Sequence, residues 1–281
     1  MKKIMAFFVM VLLLFGGCQI RPIDISTPSS VKEFGNNPNS SQKALVIGNA
    51  DYGYRPLANP TNDAKDVANV LEKMGFYGLV ATNLNFDGMK KAITDFKGTL
   101  TGKDVALFYF AGHGVGIDVD GKNYLFPTDN KNVAGELDVS NRAIHTDRIL
   151  TVMKTANRDG INIIILDACR DKKPPYEGSS RNRARGWVLP SSVNGTVQAY
   201  ATAYGEVALD NLRERNGLYT KYLLKALEIA KSKPMGIEYI LIQVGKSVNK
   251  NSYGKQNPDY DYAIDGGKVC LGFKECRQPI T

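Results

Sequence analysis

The sequence contains few of the side chains that build metal centres. Among its 281 residues are two histidines, His113 and His145, and four cysteines. None of them has the short paired spacing of a zinc site, so the sequence predicts no bound metal. Asp118, Asp120 and Gly121 begin like a calcium loop, but the later Glu of that pattern is missing. No cofactor is therefore expected, and the sequence leaves calcium activation open.

The amino terminus lacks a hydrophobic run long enough to span a bilayer. Residues 4–15 are apolar, follow two lysines and end in Gly16, Gly17 and Cys18. This order of basic, apolar and small residues is typical of an export signal. No cleavage site of the A-x-A type follows. The Gly-Gly-Cys ending resembles the bacterial lipoprotein lipobox, with Phe15 in place of the usual Leu.

That resemblance implies that residues 1–17 are a signal peptide and that Cys18 is acylated. The protein would then be anchored by lipid in the bacterial cell envelope, on the outer membrane or the periplasmic face. Gln19 is compatible with outer-membrane sorting. An ordinary cleaved signal with an incidental cysteine is the alternative. Residues 18–42 are rich in Ser, Pro and Asn, which predicts a flexible tether.

The rest of the chain has no repeat and no second linker. Residues 43–265 are long enough for one domain with a full core, and a tail over residues 266–281 follows. In an exported protein Cys270 and Cys276 could form a disulfide or remain unpaired thiols. The formal net charge of +8 would suit nucleic acid or an anionic membrane. No nucleic-acid motif accompanies it, so no nucleic-acid partner is expected.

Short apolar runs alternate with helical patterns throughout the predicted domain. The runs lack the two-residue alternation of half-exposed strands, which favours strands buried on both faces. The sequence therefore predicts an α/β fold, a mainly parallel sheet with helices on both faces, in which ligands bind at the carboxyl ends of strands. The predicted strands cover residues 43–48, 77–82, 104–110, 161–168 and 195–202, and the helices cover residues 64–74, 89–100, 218–230, 237–248 and a stretch starting near 146.

Two of these strands end in reactive side chains. One runs into His113 and the other into Cys169, so the two residues should meet at the same edge of the sheet. A nucleophilic thiolate needs a nearby imidazole, and the partners can be far apart in sequence. The backbone N–H groups of Gly114 and Cys169 are candidates for an oxyanion hole. A turn histidine and an inert buried thiol are the alternative.

The sequence resembles the caspase-like superfamily of clan CD peptidases, nearest to bacterial paracaspase and metacaspase-type domains. The resemblance implies a three-layer sandwich, a catalytic dyad of Cys169 and His113, and cleavage of protein or peptide substrates. It is carried by the motifs KALVIGNADY, NPTNDAKDVANVLEKMGF, FYFAGHG, NYLFPTD, IIILDACRD and QAYATAYGEVALD, each in order along the chain.

The same resemblance implies an acidic specificity pocket. Asp167 stands two residues before the nucleophile, where family members with a D-x-C motif bind a basic side chain. Asp63 and Asp210 match two further acidic positions. Carboxylates are good partners for guanidinium and ammonium groups, so cleavage after Arg and by extension Lys is expected. The Q-A-C-[RQG]-G signature of true caspases is absent. An ordinary acidic residue in the first turn of a helix is the alternative for Asp63.

Residues 171–185 have no apolar periodicity and should form an exposed loop. In the family, the corresponding connection is often cut during maturation. Arg181, Arg183 and Arg185 are therefore candidate self-processing sites, although a simple basic loop is an equal alternative. Two other functions remain open. One is a catalytically silent scaffold in a lipoprotein, and the other is a thiol hydrolase or transpeptidase.

Overall fold

The computed structural model describes residues 29–53, 55–117, 122–130, 133, 136–169, 193–203, 213–265 and 269–273. The strands are β1 (Ser30–Phe34), β2 (Gln42–Gly48), β3 (Tyr77–Thr82), β4 (Val105–Ile117), β5 (Lys122–Leu125), β6 (Ile144–His145), β7 (Ile161–Cys169), β8 (Thr196–Tyr200) and β9 (Asp259–Ala263). The helices are α1 (Pro60–Lys73), α2 (Phe86–Thr99), α3 (Glu136–Arg142), α4 (Thr146–Ala156), α5 (Leu218–Ala230) and α6 (Ile237–Asn251).

The main sheet has the strand order β1-β3-β2-β4-β7-β8-β9. Its inner strands, from β3 to β8, run parallel, and the two edge strands β1 and β9 are antiparallel to their neighbours. The inner strands are apolar at successive positions because helices cover both faces of the sheet. The expected parallel sheet is confirmed.

Alternate residues of each inner strand enter two different cores. Ala44 and Val46 of β2 pack on the side of α1, α5 and α6. Leu45 and Ile47 pack on the side of α2 and α4. The result is a sandwich of three layers, which confirms the predicted fold class. Within the part of the chain that the structure describes, no helix has the length and apolar character needed to cross a membrane.

The predicted helices are confirmed, with small differences at their ends. α1 ends before Gly75, whose φ of 86° is a left-handed conformation that favours glycine. α4 begins at Thr146 as expected, but its N-cap is the preceding residue, His145. The Nδ1 atom of His145 accepts the Arg148 N–H at 3.2 Å. This histidine therefore has a structural role.

The folded part begins earlier than predicted. Residues 18–42 were expected to form a tether, yet β1 lies within this range and pairs with β3 along its whole length. Only Phe34 of β1 is buried, and the strand is held largely by backbone hydrogen bonds. Such a strand has no apolar run from which it could be predicted. The residues from Ser30 onward therefore belong to the fold rather than to a tether.

The predicted tail also belongs to the fold. Residues 269–271 are buried, and the Val269 carbonyl accepts the Ile237 N–H at the start of α6. The Gly272 N–H bonds to Oε1 of Gln42 at 2.7 Å. Cys270 is disulfide-bonded, while Cys276 lies outside the described residues. The domain boundary predicted at residue 265 is thus too early, because the packing continues to Gly272.

Candidate active site

His113 and Cys169 are register partners in neighbouring parallel strands. The pairing of β4 with β7 runs from Val105 opposite Ile161 to His113 opposite Cys169. Cys169 is the last residue of β7, at the carboxyl end where ligands bind in parallel sheets. The side chain of Cys169 lies outside the described part of the structure. The backbone alone brings the two residues to one edge of the sheet.

The His113 ring is oriented by a backbone carbonyl. Its side chain is buried, and its Nε2 atom lies 2.7 Å from the carbonyl oxygen of Arg55. A carbonyl oxygen can only accept, so Nε2 carries the hydrogen and donates it. Nδ1 is then the ring nitrogen able to take a proton. Arg55 has a left-handed backbone with φ of 58°, which is uncommon for a residue with a side chain.

Tyr52 supports His113 from the loop after β2. The two rings are tilted by 50° with centroids 4.4 Å apart. The Tyr52 hydroxyl accepts the His113 N–H at 2.8 Å and donates to the Phe126 carbonyl at 3.2 Å. Gly112 makes room for this hydroxyl, since a Cβ at Gly112 would lie 2.5 Å from the oxygen and the φ there is +154°. Glycine is therefore required beside the histidine.

The N–H of Gly114 faces the side of the strand on which β7 ends. The His113 carbonyl accepts the Phe126 N–H at 2.9 Å, so the backbone groups of His113 face β5. Backbone groups of successive residues in a strand point to opposite sides. Gly114 is one residue further on, and its N–H consequently points away from β5.

Asp63 and Asp167 lie close together beside this edge. A Cβ placed on Gly217 would be 3.3 Å from Oδ2 of Asp63 and 3.4 Å from Oδ2 of Asp167. Asp63 is 2% exposed, whereas Asp167 is half-buried. Burial, followed by the negative charge of Asp167, raises the pKa of Asp63 to about 8. The space beside Gly217 is therefore bordered by two carboxyl groups.

The start of α5 supplies hydrogen bonds to both acids. Gly217, its N-cap, donates its N–H to Oδ1 of Asp63 at 3.1 Å. Thr220 donates its N–H to Oδ2 of Asp167 at 3.2 Å and its hydroxyl to the same oxygen at 2.6 Å. Unpaired N–H groups and the helix dipole favour negative charge at this end of a helix.

A short segment before α5 is fastened to the start of α1. The guanidinium of Arg215 contacts the Asp66 carboxylate through two bonds of 2.8 and 2.9 Å. The side-chain amide of Asn216 donates to Asp63 at 3.0 Å and to Asp66 at 2.9 Å. Burial alone would raise the pKa of Asp66, but the bonds from Arg215 and Asn216 hold it below its ordinary value. These contacts fix Gly217 against the acid pair.

A model of the caspase domain, the peptidase C14 family, matches residues 41–264. The chain belongs to the caspase-domain family. The solved structure of caspase-1 from Spodoptera frugiperda is similar, with a TM-score of 0.62 and 15% sequence identity over 87% of this chain and 94% of that chain. At this identity the likeness concerns the fold alone. No curated protein sequence matches the chain.

Caspase-domain proteins are cysteine peptidases that act on proteins, and the described part of this member contains much of the predicted site. The structure brings His113 to the backbone of Cys169 and brings Asp63 to Asp167. The other predicted site residues, namely Asp210, Cys18 and the arginines at 181, 183 and 185, lie outside the described residues. Among the residues that are described, no group of three or more His, Cys, Asp or Glu side chains could hold a metal ion.

Several residues of the caspase-domain site were not predicted from the sequence. Arg55 acts through its backbone carbonyl, a group that every residue has, so no sequence signal exists for it. Gly217 and Thr220 stand at the start of a predicted helix, where an N-cap and its first turn commonly bind anions. The position of these two residues at a helix start is therefore a sequence signal from which their contacts with acidic groups can be predicted. Tyr52 lies in the quoted KALVIGNADY motif but carries no chemistry of its own.

Proposed function

We propose that the protein is a cysteine endopeptidase that cleaves after Arg and Lys, with Cys169 as nucleophile and His113 as general base. The observation that carries this proposal is the register pairing of His113 with Cys169 at one sheet edge. It is supported by the Arg55 carbonyl, which keeps hydrogen on Nε2 and leaves Nδ1 to exchange protons. Membership in the caspase-domain family agrees with this chemistry.

The reaction proceeds through an acyl-enzyme. The Cys169 thiol gives its proton to Nδ1 of His113, and the thiolate attacks the scissile carbonyl carbon. The negative charge that develops on the carbonyl oxygen is stabilised by the N–H groups of Gly114 and Cys169. The C–N bond then breaks as the imidazolium protonates the leaving amine. Water, deprotonated by His113, hydrolyses the thioester and releases the carboxylate.

The acid pair supplies the specificity for a basic side chain. Asp63 and Asp167 border the space beside Gly217, and a guanidinium or ammonium group there would meet carboxylate oxygens on two sides. Charged hydrogen bonds of this kind are about twice as strong as neutral ones. A planar guanidinium benefits most, because it can donate two parallel N–H bonds to a carboxylate. Asp210 is proposed as a third acid of the same pocket.

We further propose that Cys18 carries lipid and holds the enzyme in the bacterial cell envelope, where it meets protein substrates. Replacing Cys18 with Ser should release the protein from membranes or leave its signal uncleaved. Membrane fractions and the intact mass of the protein test this directly. Unchanged membrane attachment together with normal signal removal would contradict acylation.

Self-cleavage in residues 171–185 is part of the same proposal. An enzyme that cuts after Arg meets Arg181, Arg183 and Arg185 in its own loop. Purified protein should split slowly there, while the Cys169→Ala protein stays whole. Intact mass followed over hours with both proteins is the measurement. Wild-type protein that cleaves Arg peptides and remains uncut would remove this loop as a processing site.

The central experiment uses protein from residue 19 onward and fluorogenic peptides that differ only in having Arg, Lys or Asp before the scissile bond. Cleavage should be fastest after Arg, slower after Lys and undetectable after Asp. The Cys169→Ala protein is the matched control for contaminating proteases, and each assay is repeated with calcium and with a chelator. Absence of any Cys169-dependent cleavage would favour the scaffold, and a ligated product would favour a transpeptidase.

A further inference from the structure

Thr220 joins Asp167 to a chain of buried hydroxyl groups. The Thr220 hydroxyl lies 2.6 Å from Oδ2 of Asp167 and 2.5 Å from the hydroxyl of Tyr109. Thr220 and Tyr109 are both completely buried. An ionised carboxylate only accepts, so the single hydrogen of Thr220 points to Asp167. The Tyr109 hydroxyl must then be the donor to Thr220, and the three groups form one directed chain.

Tyr109 is suited to its place at the start of this chain. Burial, and then the negative charges of Asp63 and Asp167, hold the pKa of Tyr109 well above its ordinary value. Its hydroxyl therefore keeps its hydrogen and remains a donor. Hydrogen bonds that run in one direction polarise each other, which strengthens the bond that finally reaches Asp167. The chain is thus built to stabilise negative charge on that carboxylate.

The two acids differ in how they are bonded. Oδ2 of Asp167 receives both the N–H and the hydroxyl of Thr220. Asp63 receives its donors, Asn216 and the Gly217 N–H, on Oδ1, while its Oδ2 borders the space next to Asp167. Two neighbouring carboxyl groups, one of them buried, do not both ionise readily near neutral pH. Burial, followed by the negative charge of Asp167, raises the pKa of Asp63, so the proton is favoured on Asp63.

Other ionisable groups around Asp63 do not change this assignment. Asp66 of α1 adds negative charge, and the facing Arg215 is held by Asp66 through two bonds. On the side of the sheet, Tyr109 of β4 stays neutral because burial raises its pKa. Tyr219 of α5, which faces Asp167, also stays neutral because burial raises its pKa.

We propose that Thr220, backed by Tyr109, is a positioning residue that keeps Asp167 ionised, and that a basic side chain entering beside Gly217 displaces the shared proton from Asp63. The proposal rests on the proposed specificity for basic residues and adds that binding of the basic side chain releases a proton from Asp63. In this step the O–H bond of Asp63 breaks and the proton passes to solvent. New N–H···O bonds form from the guanidinium to both carboxylates. Binding is therefore coupled to proton release.

Calorimetry with agmatine, a small guanidinium compound that cannot be cleaved, tests the coupling. Titrations at pH 7 in buffers of different ionisation enthalpy count the protons released on binding. Wild-type protein should release about one proton for each agmatine bound, as expected for an acid that titrates above pH 7. Asp63→Asn should bind more weakly and release none. Agmatine binding to wild-type protein without proton release would overturn the inference while leaving basic specificity intact.

The positioning role is tested with Thr220→Val and Thr220→Ser. The valine keeps the shape but lacks the hydroxyl, so agmatine affinity should fall roughly tenfold or more and KM for Arg peptides should rise. Because kcat at saturation does not depend on this pocket to the same degree, it should fall much less. The serine variant should recover most of the affinity. Equal affinity in the valine variant, or loss of kcat with unchanged KM, would overturn the role.

Failure of the wider proposal gives a different result. If the wild-type protein binds no agmatine and shows no preference for Arg peptides, it has no pocket for basic side chains. The proposed proton release is then rejected together with the proposed specificity. Circular dichroism and thermal unfolding of each variant identify a folding defect. If Thr220→Val does not fold, Tyr109→Phe breaks the chain one step earlier, and its agmatine affinity should also fall below that of the wild type. Unchanged affinity in that variant rejects the chain.

Discussion

The carbonyl oxygen of Arg55 accepts a hydrogen bond from Nε2 of His113 over 2.7 Å. This contact selects the tautomer in which Nδ1 can receive the proton of the proposed nucleophile, Cys169. It performs the orienting task that a carboxylate performs in a Ser-His-Asp triad. Because the partner is neutral, it orients the ring without adding a negative charge beside it. The proposed dyad therefore relies on the loop after β2 as well as on the two strands.

Replacing either member of the dyad should abolish peptide cleavage and leave the fold intact. Cys169→Ala removes the nucleophile, and His113→Ala removes the base that activates it. Turnover of an Arg peptide should drop to the background of the assay in both variants, with unchanged circular dichroism. Near-normal turnover in either variant would exclude the dyad.

Tyr52→Phe should lower both stability and turnover. The change leaves the buried His113 N–H and the Phe126 carbonyl without the hydroxyl that joins them. Loss of such a link costs about 1 to 3 kcal/mol in the free energy of unfolding, and kcat should fall as the ring loses its fixed position. Tyr253→Phe is the matched control, because Tyr253 is 90% exposed. Urea unfolding and steady-state kinetics measure the two effects, and equal behaviour of both variants would refute this role.

Gly217→Ala should weaken the binding of basic side chains. The new methyl group would lie within 3.4 Å of both Asp63 and Asp167, in the space proposed for the substrate cation. The φ of −56° at Gly217 is open to any residue, so no backbone strain is added. KM for Arg peptides should rise roughly tenfold. Gly245→Ala, with no atom near its added methyl group, is the control and should leave KM unchanged.

Asp63→Asn should stabilise the protein at high pH. The folded-state pKa of Asp63 is about 8, above its ordinary value of 3.8, so the folded protein holds a proton that the unfolded chain loses. The stability this proton provides is complete below pH 3.8 and is lost as pH rises through 8. Asparagine has no such loss. The melting temperature of the variant should exceed that of the wild type at pH 9 by several degrees and differ less at pH 6.

The neighbouring Asp66 provides a control of opposite sign. Its folded-state pKa is lowered, so its contribution to stability is present above the ordinary pKa and is lost as pH falls. Asp66→Asn should therefore lower the melting temperature at pH 7 and have less effect in acid. The two variants together separate the titration of Asp63 from a general change of charge. Parallel pH profiles for both would contradict the assignment.

The inner strands could be predicted from the sequence because each is a continuous apolar run. β1 and β9 could not, since they lie at the edges and depend on backbone pairing with a single neighbour. In β9, acids alternate with tyrosines and no residue is fully buried. The same distinction applies to the site. His113 and Cys169 follow predicted strands, whereas Arg55 contributes a carbonyl and Gly217 contributes an absence of side chain.

The position of β1 decides which edge of the sheet would face a lipid anchor on Cys18. Ser30 pairs with Thr82 at the carboxyl end of β3, which is the same edge of the sheet as His113. Ser30, the first residue of β1, therefore lies at the same edge of the sheet as His113. With lipid on Cys18, the intervening residues could extend no more than about 40 Å. The proposed active site would then stay close to the membrane and face the bilayer. Lengthening the segment before Ser30 should then alter cleavage of membrane-bound substrates and leave that of soluble peptides unchanged.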